Sequence, residues 1–147
     1  MKKITIYTDG GSRGNPGQAA AGAVFYNEKG EKVNEYGKYL GDNLTNNEAE
    51  YMAAIFGLEK FKAQFGKRLA KEAEVELCCD SELLVKQMIG KYKIENEKLQ
   101  PLFLKLWNLF LDFKKIKIRA ISRNKNKDAD KMVNETLDNE KKATTLF

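Results

Sequence analysis

The sequence TDGGSRGNPG at residues 8–17 follows an alternating apolar segment, KITIYTD at residues 3–9, and these two segments decide the start of the fold. An alternation with a period of two predicts a β-strand that ends at Asp9, and Gly10-Gly11 predict a turn directly after it. Residues 20–27 and 32–39 predict two further strands, which the short turn between them joins as a hairpin. The chain is therefore expected to begin with three strands.

Helical patterns dominate the rest of the chain. The first strong helix is predicted from Thr45 to about Gln64, and Thr45 and Glu48 have the spacing of a capping box. The remaining predicted elements are strands at 73–79 and 115–121 and helices at 81–89, 96–113 and about 129–137. This order predicts an α/β domain in which helices cover the faces of a mixed sheet.

Composition limits the classes of protein to which the chain can belong. Its 147 residues, 42% hydrophobic and 32% charged, predict one soluble domain over 1–147 with a C-terminal tail at 138–147. No apolar run approaches the ~20 residues of a membrane span, and the N-terminus lacks a signal peptide, so we expect a cytoplasmic protein without membrane contacts. The net charge of +5 favours a polyanionic partner.

Histidine and cysteine usage excludes several chemistries. The chain contains no histidine, which rules out Ser-His-Asp triads, Cys-His dyads and HExxH zinc sites. Cys78 and Cys79 are adjacent in a predicted strand, so their side chains should point to opposite faces and support neither a disulfide nor a zinc site. Any catalysis must therefore depend on carboxylates and metal ions.

Four carboxylates lie where a shared metal site could form. Asp9 and Asp80 follow apolar strands, and Glu50 and Asp130 lie at the starts of helices. Acids placed together raise one another's pKa unless cations neutralise them, so such a cluster predicts divalent metal, and oxygen ligands suit Mg²⁺ or Mn²⁺. Glu48, on the same helix as Glu50, is accounted for by the capping box, whereas Glu50 shares a helix face with small residues that allow close packing on the sheet.

These acids also have simpler interpretations. Asp9 precedes glycine, which is a common turn pair, and Asp80 is placed to cap the helix that follows it, although Ser81 could cap that helix instead. Asp128 and Asp130 both lie at the start of the last helix, where either carboxylate could complement the helix dipole. The residue pattern alone does not choose between these interpretations and a metal site.

Four segments, TDGGSRGNPG (8–17), TNNEAEYMA (45–53), CDSELLV (79–85) and NKDADK (126–131), stand in a characteristic order and spacing. Together they closely resemble type 1 ribonuclease H, the enzyme that cuts the RNA strand of RNA/DNA hybrids, and the resemblance runs from residue 3 to about residue 137. It implies the ribonuclease H-like α/β fold, with a five-stranded mixed sheet of three antiparallel strands followed by two parallel ones, flanked by helices.

The resemblance also implies a mechanism and a set of contacts. The family's aspartate-glutamate-aspartate-aspartate cluster, which binds two metal ions, falls on Asp9, Glu50, Asp80 and Asp130. The implied cofactor is therefore two Mg²⁺ ions, for which Mn²⁺ can substitute. The implied RNA products carry 5′-phosphate and 3′-hydroxyl ends. Contacts to the hybrid, including its ribose 2′-hydroxyls and minor groove, are implied for Ser12, Asn15, Thr45, Asn46 and Asn47. Three lysines around a short connection are predicted to contact phosphates: Lys86, Lys91 and Lys93.

The chain departs from the family in two places. Many members carry a histidine in the loop before the fourth aspartate, where this chain has residues 122–125 without one, and we expect Arg123 to take over part of that role. Many bacterial members also carry a lysine-rich helical protrusion, for which the stretch GKYKIENEK is too short.

Two alternatives stay open: a module that binds hybrids without cutting them, and a nuclease that also cuts double-stranded RNA, as some relatives without the protrusion do.

The tail gives a further expectation about partners. It ends in ATTLF at 143–147 and resembles the short C-terminal peptides by which bacterial replication proteins dock on the sliding clamp. The alternative is a frayed or packed chain end. We otherwise expect a monomer.

Overall fold

The computed structural model describes residues 2–145. Five strands form one mixed sheet in the order β3-β2-β1-β4-β5. β1 pairs antiparallel with β2 and β2 with β3, whereas β1 and β4, and β4 and β5, are parallel. The strand bounds are β1 Lys3–Arg13, β2 Gly17–Tyr26, β3 Lys32–Leu44, β4 Glu74–Cys79 and β5 Lys115–Ala120. The predicted five-stranded mixed sheet is therefore confirmed.

Four α-helices accompany the sheet in the described part of the chain. They are α1 Asn46–Glu72, α2 Glu82–Met88, α3 Gln100–Phe110 and α4 Lys127–Thr145, with a 3₁₀ turn at Arg123–Lys125. α1 runs past its predicted end and breaks at Gly66, which has a φ of 83°. α4 continues to Thr145, so the described part of the predicted C-terminal tail, residues 138–145, is helical. The last two residues of the predicted clamp-binding peptide, Leu146 and Phe147, lie outside the described residues.

The prediction that Gly10-Gly11 turn the chain was wrong. Both glycines continue β1 and pair with Ala21 and Ala20 of β2, and the reversal comes later, at Gly14, which has a φ of 84°. Gly10 is needed for another reason: a Cβ there would overlap the backbone carbonyl of Ala49 in α1. The glycine therefore permits a close approach of helix and strand beside Asp9.

The sheet carries α1 on one face and α4 on the other. The main core lies on the α1 side and includes Ile6, Phe25, Leu58, Phe61 and Leu77, all fully buried. A smaller cluster of Ala20, Val133 and Leu137 joins α4 to the opposite face. Burial of these apolar side chains is the main force that fixes both helices on the sheet.

Local predictions about caps and cysteines are confirmed. The Thr45 hydroxyl accepts a hydrogen bond from the Glu48 N–H (3.2 Å), and the Glu48 carboxylate accepts one from the Thr45 N–H (3.1 Å), which completes the capping box. Cys79 packs in the main core, whereas Cys78 lies beside Arg119 on the other face, and both are free thiols. Among residues 2–145, no helix has both the length and the apolar character needed to cross a membrane.

Candidate active site

The four predicted carboxylates all line one cavity of about 620 Å³. Asp9 lies within β1, Asp80 directly follows β4, Glu50 lies in the first turns of α1, and Asp130 lies near the start of α4. Carboxylate oxygens of Asp9, Glu50 and Asp80 lie within 4.8 Å of one another. Four separate elements therefore bring together acids that are up to 121 positions apart in the sequence.

Close packing of α1 on β1 places Glu50 in the cavity. The Gly10 N–H donates a hydrogen bond to Glu50 Oε1, which fixes the carboxylate beside the strand. Ala53 and Ala54 on the same helix face are fully buried, and a Cβ at Gly57 would come within 2.8 Å of the Thr8 side chain. This confirms that small residues next to Glu50 let the helix lie against the sheet.

Asp80 is held by a neighbour rather than used as a helix cap. Ser81 caps α2 instead, since its hydroxyl accepts a hydrogen bond from the Leu84 N–H at 3.2 Å. The side-chain amide of Asn126 donates to Asp80 Oδ2 at 3.1 Å and to the Thr8 carbonyl oxygen at 2.9 Å. Asn126 is only 1% exposed, so it anchors the Asp80 carboxylate from beneath the cavity.

Asp128 and Asp130, which the residue pattern could not separate, face different surroundings. Asp128 accepts a hydrogen bond from the Tyr26 hydroxyl and lies 3.6 Å from Lys32 Nζ. These partners hold the pKa of Asp128 below its ordinary value, the Tyr26 hydrogen bond contributing most. Asp130 instead lines the cavity with Asp9. The structure thus assigns Asp128 to a separate polar cluster.

The acids in the cavity are poorly compensated by the protein. Asp9 and Glu50 are 8% and 7% exposed. Burial, followed by the charges of Asp80 and Asp130, raises the pKa of Asp9 to about 7. Burial, followed by the charges of Asp9 and Asp80, raises the pKa of Glu50 well above its ordinary value. A cation close to these carboxylates, from the protein or a bound metal ion, would lower the two pKa values again. Arg13 and Arg123 line the cavity, but the pKa values of Asp9 and Glu50 are raised in their presence.

Of the five residues in the glycine-rich loop and at the start of α1 that are implied to contact nucleic acid, three line the cavity and two adjoin those three. The Ser12 N–H donates to Asn46 Oδ1 (2.9 Å), and the Asn46 N–H donates to Asn15 Oδ1 (3.0 Å), so the glycine-rich loop and the start of α1 are interlocked. Ser12, Asn46 and Asn47 line the cavity itself. Thr45 is occupied as the N-cap of α1. The residues for which these contacts are implied therefore form one connected edge beside the cavity.

The predicted phosphate-binding lysines lie elsewhere. Lys86, in the last turn of α2, pairs with Glu82 at 2.7 Å, and its ammonium lies over the Tyr92 ring. Lys91 and Lys93 are exposed in the segment after α2. These lysines are not among the residues of the described chain that line the cavity. Arg123, by contrast, does line the cavity, from the 3₁₀ turn before α4.

Two residues at this site had no role assigned from the sequence. In the sequence, Asn126 was only the first residue of the segment NKDADK, and its contact with Thr8 joins residues 118 positions apart. Arg13 lines the cavity and forms an ion pair with Asp138 at 2.8 Å. In the sequence, Arg13 is an arginine among small residues of the glycine-rich loop, and Asn126 is an asparagine before a helix. Neither position specifies a contact partner.

Comparison with known proteins gives the same architecture. Residues 7–136 match the family model described as Reverse transcriptase-like. RNase H1 from the halophilic archaeon Halobacterium salinarum is 36% identical, with a TM-score of 0.85 over 93% of this chain and 98% of that one. LC11-RNase H1, solved in complex with an RNA/DNA hybrid, is 43% identical, with a TM-score of 0.84 over 90% and 94% of the two chains.

A five-stranded sheet of this order with an acidic cavity beside its central strands defines the ribonuclease H-like class of domains. A mycobacterial relative, the bifunctional protein Rv2228c of Mycobacterium tuberculosis, is 37% identical over 92% of this chain, which spans 36% of that relative's length. The chain belongs to the type 1 ribonuclease H family.

Proposed function

We propose that this protein is a metal-dependent endonuclease that hydrolyses the RNA strand of RNA/DNA hybrids and leaves 5′-phosphate and 3′-hydroxyl ends. The observation that carries the proposal is the group of three carboxylates within 4.8 Å of one another, two of them nearly buried. The hybrid bound to LC11-RNase H1 supports the substrate class, because that relative shares the fold at 43% identity.

The cavity fits divalent metal ions. Asp9, Glu50 and Asp80 offer oxygen ligands from three elements, and Asp130 offers a fourth carboxylate from α4. Hard oxygen ligands of this kind suit Mg²⁺, for which Mn²⁺ can substitute. When bound, two such ions would supply activation of the attacking water and charge stabilisation at the leaving 3′ oxygen.

The protein's own groups orient this site. The Gly10 N–H and the Asn126 amide fix the carboxylates of Glu50 and Asp80, which reduces the reorganisation needed when substrate binds. The rim formed by Ser12, Asn46 and Asn47 lines the same cavity as the carboxylates, which supports contacts of these residues with ribose 2′-hydroxyls of a bound strand. Arg123 supplies a cation at the cavity, and we expect it to take over part of the role of the family's loop histidine.

The proposal is tested by cleavage of a 5′-labelled RNA strand paired with DNA, paired with RNA, or left single. Wild type and Asp80→Asn are incubated with each substrate in Mg²⁺, Mn²⁺ or chelator. We expect metal-dependent cutting of the hybrid by wild type and no cutting by Asp80→Asn, while hybrid binding is retained. The RNA/RNA substrate measures how broad the specificity is.

A matched control comes from the last helix. Asp128→Asn removes the same charge as Asp130→Asn but outside the cavity, so only Asp130→Asn should lose cleavage. Cutting at the wild-type rate by Asp80→Asn would refute the proposed site. Salt-sensitive binding of the hybrid by wild type without any cutting, in either metal, would mean that the chain acts as a binding module.

A further inference from the structure

Arg13 lies at the end of β1, on the same face of the strand as Asp9. Side chains alternate along a strand, so Asp9, Gly11 and Arg13 point to the side that α4 covers. Four residues at ~3.3 Å each place the two Cα atoms about 13 Å apart. Arg13 lines the same cavity as the carboxylates, and its Cα atom lies four strand positions beyond that of Asp9.

The partners of Arg13 come from one stripe of α4. Its Nη1 lies 2.8 Å from Asp138 Oδ1, and its Nη2 donates to Asn134 Oδ1 at 3.2 Å and to the Asn134 carbonyl oxygen at 3.4 Å. Asp130, Asn134 and Asp138 are each four positions apart and so lie on one helix face. The guanidinium thus occupies the far end of a row that begins with an acid of the cavity.

These contacts are weak ones that a ligand can replace. The Arg13 side chain is 42% exposed and that of Asp138 is 60% exposed, and exposed ion pairs contribute little to stability. A phosphate oxygen pair can accept two parallel hydrogen bonds from a guanidinium, and it carries charge of the same sign as Asp138. A nucleic-acid strand in the cavity brings such phosphates beside the one that is cut.

We propose that Arg13 binds a backbone phosphate of the nucleic acid beyond the scissile one, and that Asp138 competes with that phosphate for the guanidinium. This inference rests on the proposed function, because it takes a hybrid as the occupant of the cavity. Arg13 then helps to position the strand, and Asp138 weakens its binding. If Arg13 served only to fasten the glycine-rich loop to α4, both members of the pair would support binding equally.

The two roles differ in the direction in which substitutions of Arg13 and Asp138 change the affinity for the hybrid. Hybrid binding is measured in chelator, where no cutting is expected, at several salt concentrations. Arg13→Gln should weaken binding about 3- to 10-fold and make the slope of log K against log salt shallower by about one. Asp138→Asn should tighten binding about 2- to 5-fold. In the Arg13→Gln background, Asp138→Asn should have no effect beyond that of an unrelated charge removal.

Two matched controls give the size of that unrelated effect. Glu135→Gln removes one negative charge from α4, where Glu135 pairs with Lys131 rather than with Arg13. Arg68→Gln removes an arginine from an exposed ion pair with Glu72, away from the cavity. Thermal melting of each variant checks folding. Weaker or unchanged binding by Asp138→Asn, or tightening no larger than that of Glu135→Gln, overturns the proposal.

The strand that supplies the phosphate is found with neutral methylphosphonate groups placed singly along the RNA or the DNA strand. One position should weaken binding by wild type but not by Arg13→Gln, and its strand identifies the source. The absence of any such position overturns the proposal. If wild type binds the hybrid but never cuts it, the proposed catalysis fails while the signs of the substitutions still decide the role of Arg13. If wild type does not bind the hybrid, both proposals fail.

Discussion

Glu76 on β4 and the acids of the cavity differ in one respect, because the protein's own cations neutralise Glu76 but not the cavity acids. On the sheet face away from α1, Glu76 accepts hydrogen bonds from Arg119 and lies 3.6 Å from Lys3 Nζ. Burial raises the pKa of Glu76, but the hydrogen bond and charge of Arg119 outweigh it, so that the pKa is lowered overall. In the cavity, the pKa values of Asp9 and Glu50 are raised instead.

This contrast distinguishes a structural acid from a functional one. Glu76 has cations from two neighbouring strands, so its charge is balanced within the fold. Asp9 and Glu50 are more deeply buried, and among residues 2–145 the charges that shift their pKa values are those of other carboxylates. This arrangement costs free energy in the folded protein. A site that holds uncompensated charge in this way is suited to receive cations from solution.

The largest effect is expected from Glu50→Gln. The substitution keeps an oxygen for the Gly10 N–H but removes a metal-binding charge, so cleavage should fall about 1,000-fold or more. Because the repulsion with Asp9 and Asp80 disappears, the free energy of unfolding in chelator should rise by about 1 kcal/mol. Single-turnover cleavage and urea denaturation measure the two quantities. A variant that loses both activity and stability would contradict this account of the cavity.

A smaller effect is expected from Asn126→Ala, which removes the amide that orients Asp80. Loss of a group that positions a metal ligand typically lowers affinity or activity 10- to 100-fold, and the buried hydrogen bonds should cost about 1–3 kcal/mol of stability. The Mg²⁺ concentration for half-maximal cleavage should rise. Asn124→Ala, an exposed position two residues earlier, is the control. Lower stability with an unchanged Mg²⁺ requirement would restrict Asn126 to a structural role.

The sequence was informative where a local rule applied and silent where a contact was distant. The strand pattern placed Asp9 and Asp80 directly after apolar strands, and the capping box separated Glu48 from Glu50. The interactions of Asn126 with Thr8 and of Arg13 with Asp138 join residues more than 100 positions apart, and no local pattern specifies them. Gly10 was misread because close packing and a turn both favour glycine.

The family resemblance supplied what local patterns could not. It selected Asp130 over Asp128, and the structure places Asp130 alone of the two in the cavity. Helix ends remained inaccurate, since α1 continues across Gly66 and α4 continues to Thr145. Tertiary packing decides such boundaries more than propensity does.

The pH dependence of stability should distinguish the two acid groups. The pKa of Asp9 is about 7 in the folded protein against an ordinary value of 3.8, so between these pH values the folded state binds more protons than the unfolded state. The free energy of unfolding should therefore fall as pH rises from about 4 to about 7, by about 3 kcal/mol. Mg²⁺ should reverse the loss, because it binds the ionised carboxylates of the folded state.

The contribution of Asp9 is isolated by subtracting the curve of Asp9→Asn from that of wild type. Urea denaturation at pH 5 and pH 8, with and without Mg²⁺, gives the four free energies needed for each protein. Asp9→Asn should lose most of the fall between the two pH values and most of the stabilisation by Mg²⁺. An equal fall in the free energy of unfolding between pH 5 and pH 8 for the two proteins would show that ionisation of Asp9 does not destabilise the folded state.

The smallest effect is expected from Glu76→Gln. Its folded pKa is lowered, so Glu76 contributes stability that is present above its unfolded pKa and is lost as pH falls through the folded value. Arg119 is 56% exposed, which limits the loss at pH 7 to about 1 kcal/mol or less. The change in stability should be the same with and without Mg²⁺, and cleavage should stay within about twofold of wild type. A stability change that depended on Mg²⁺ would mean that Glu76 and the cavity carboxylates are coupled through β4. Glu76 could then no longer be regarded as independent of the metal site.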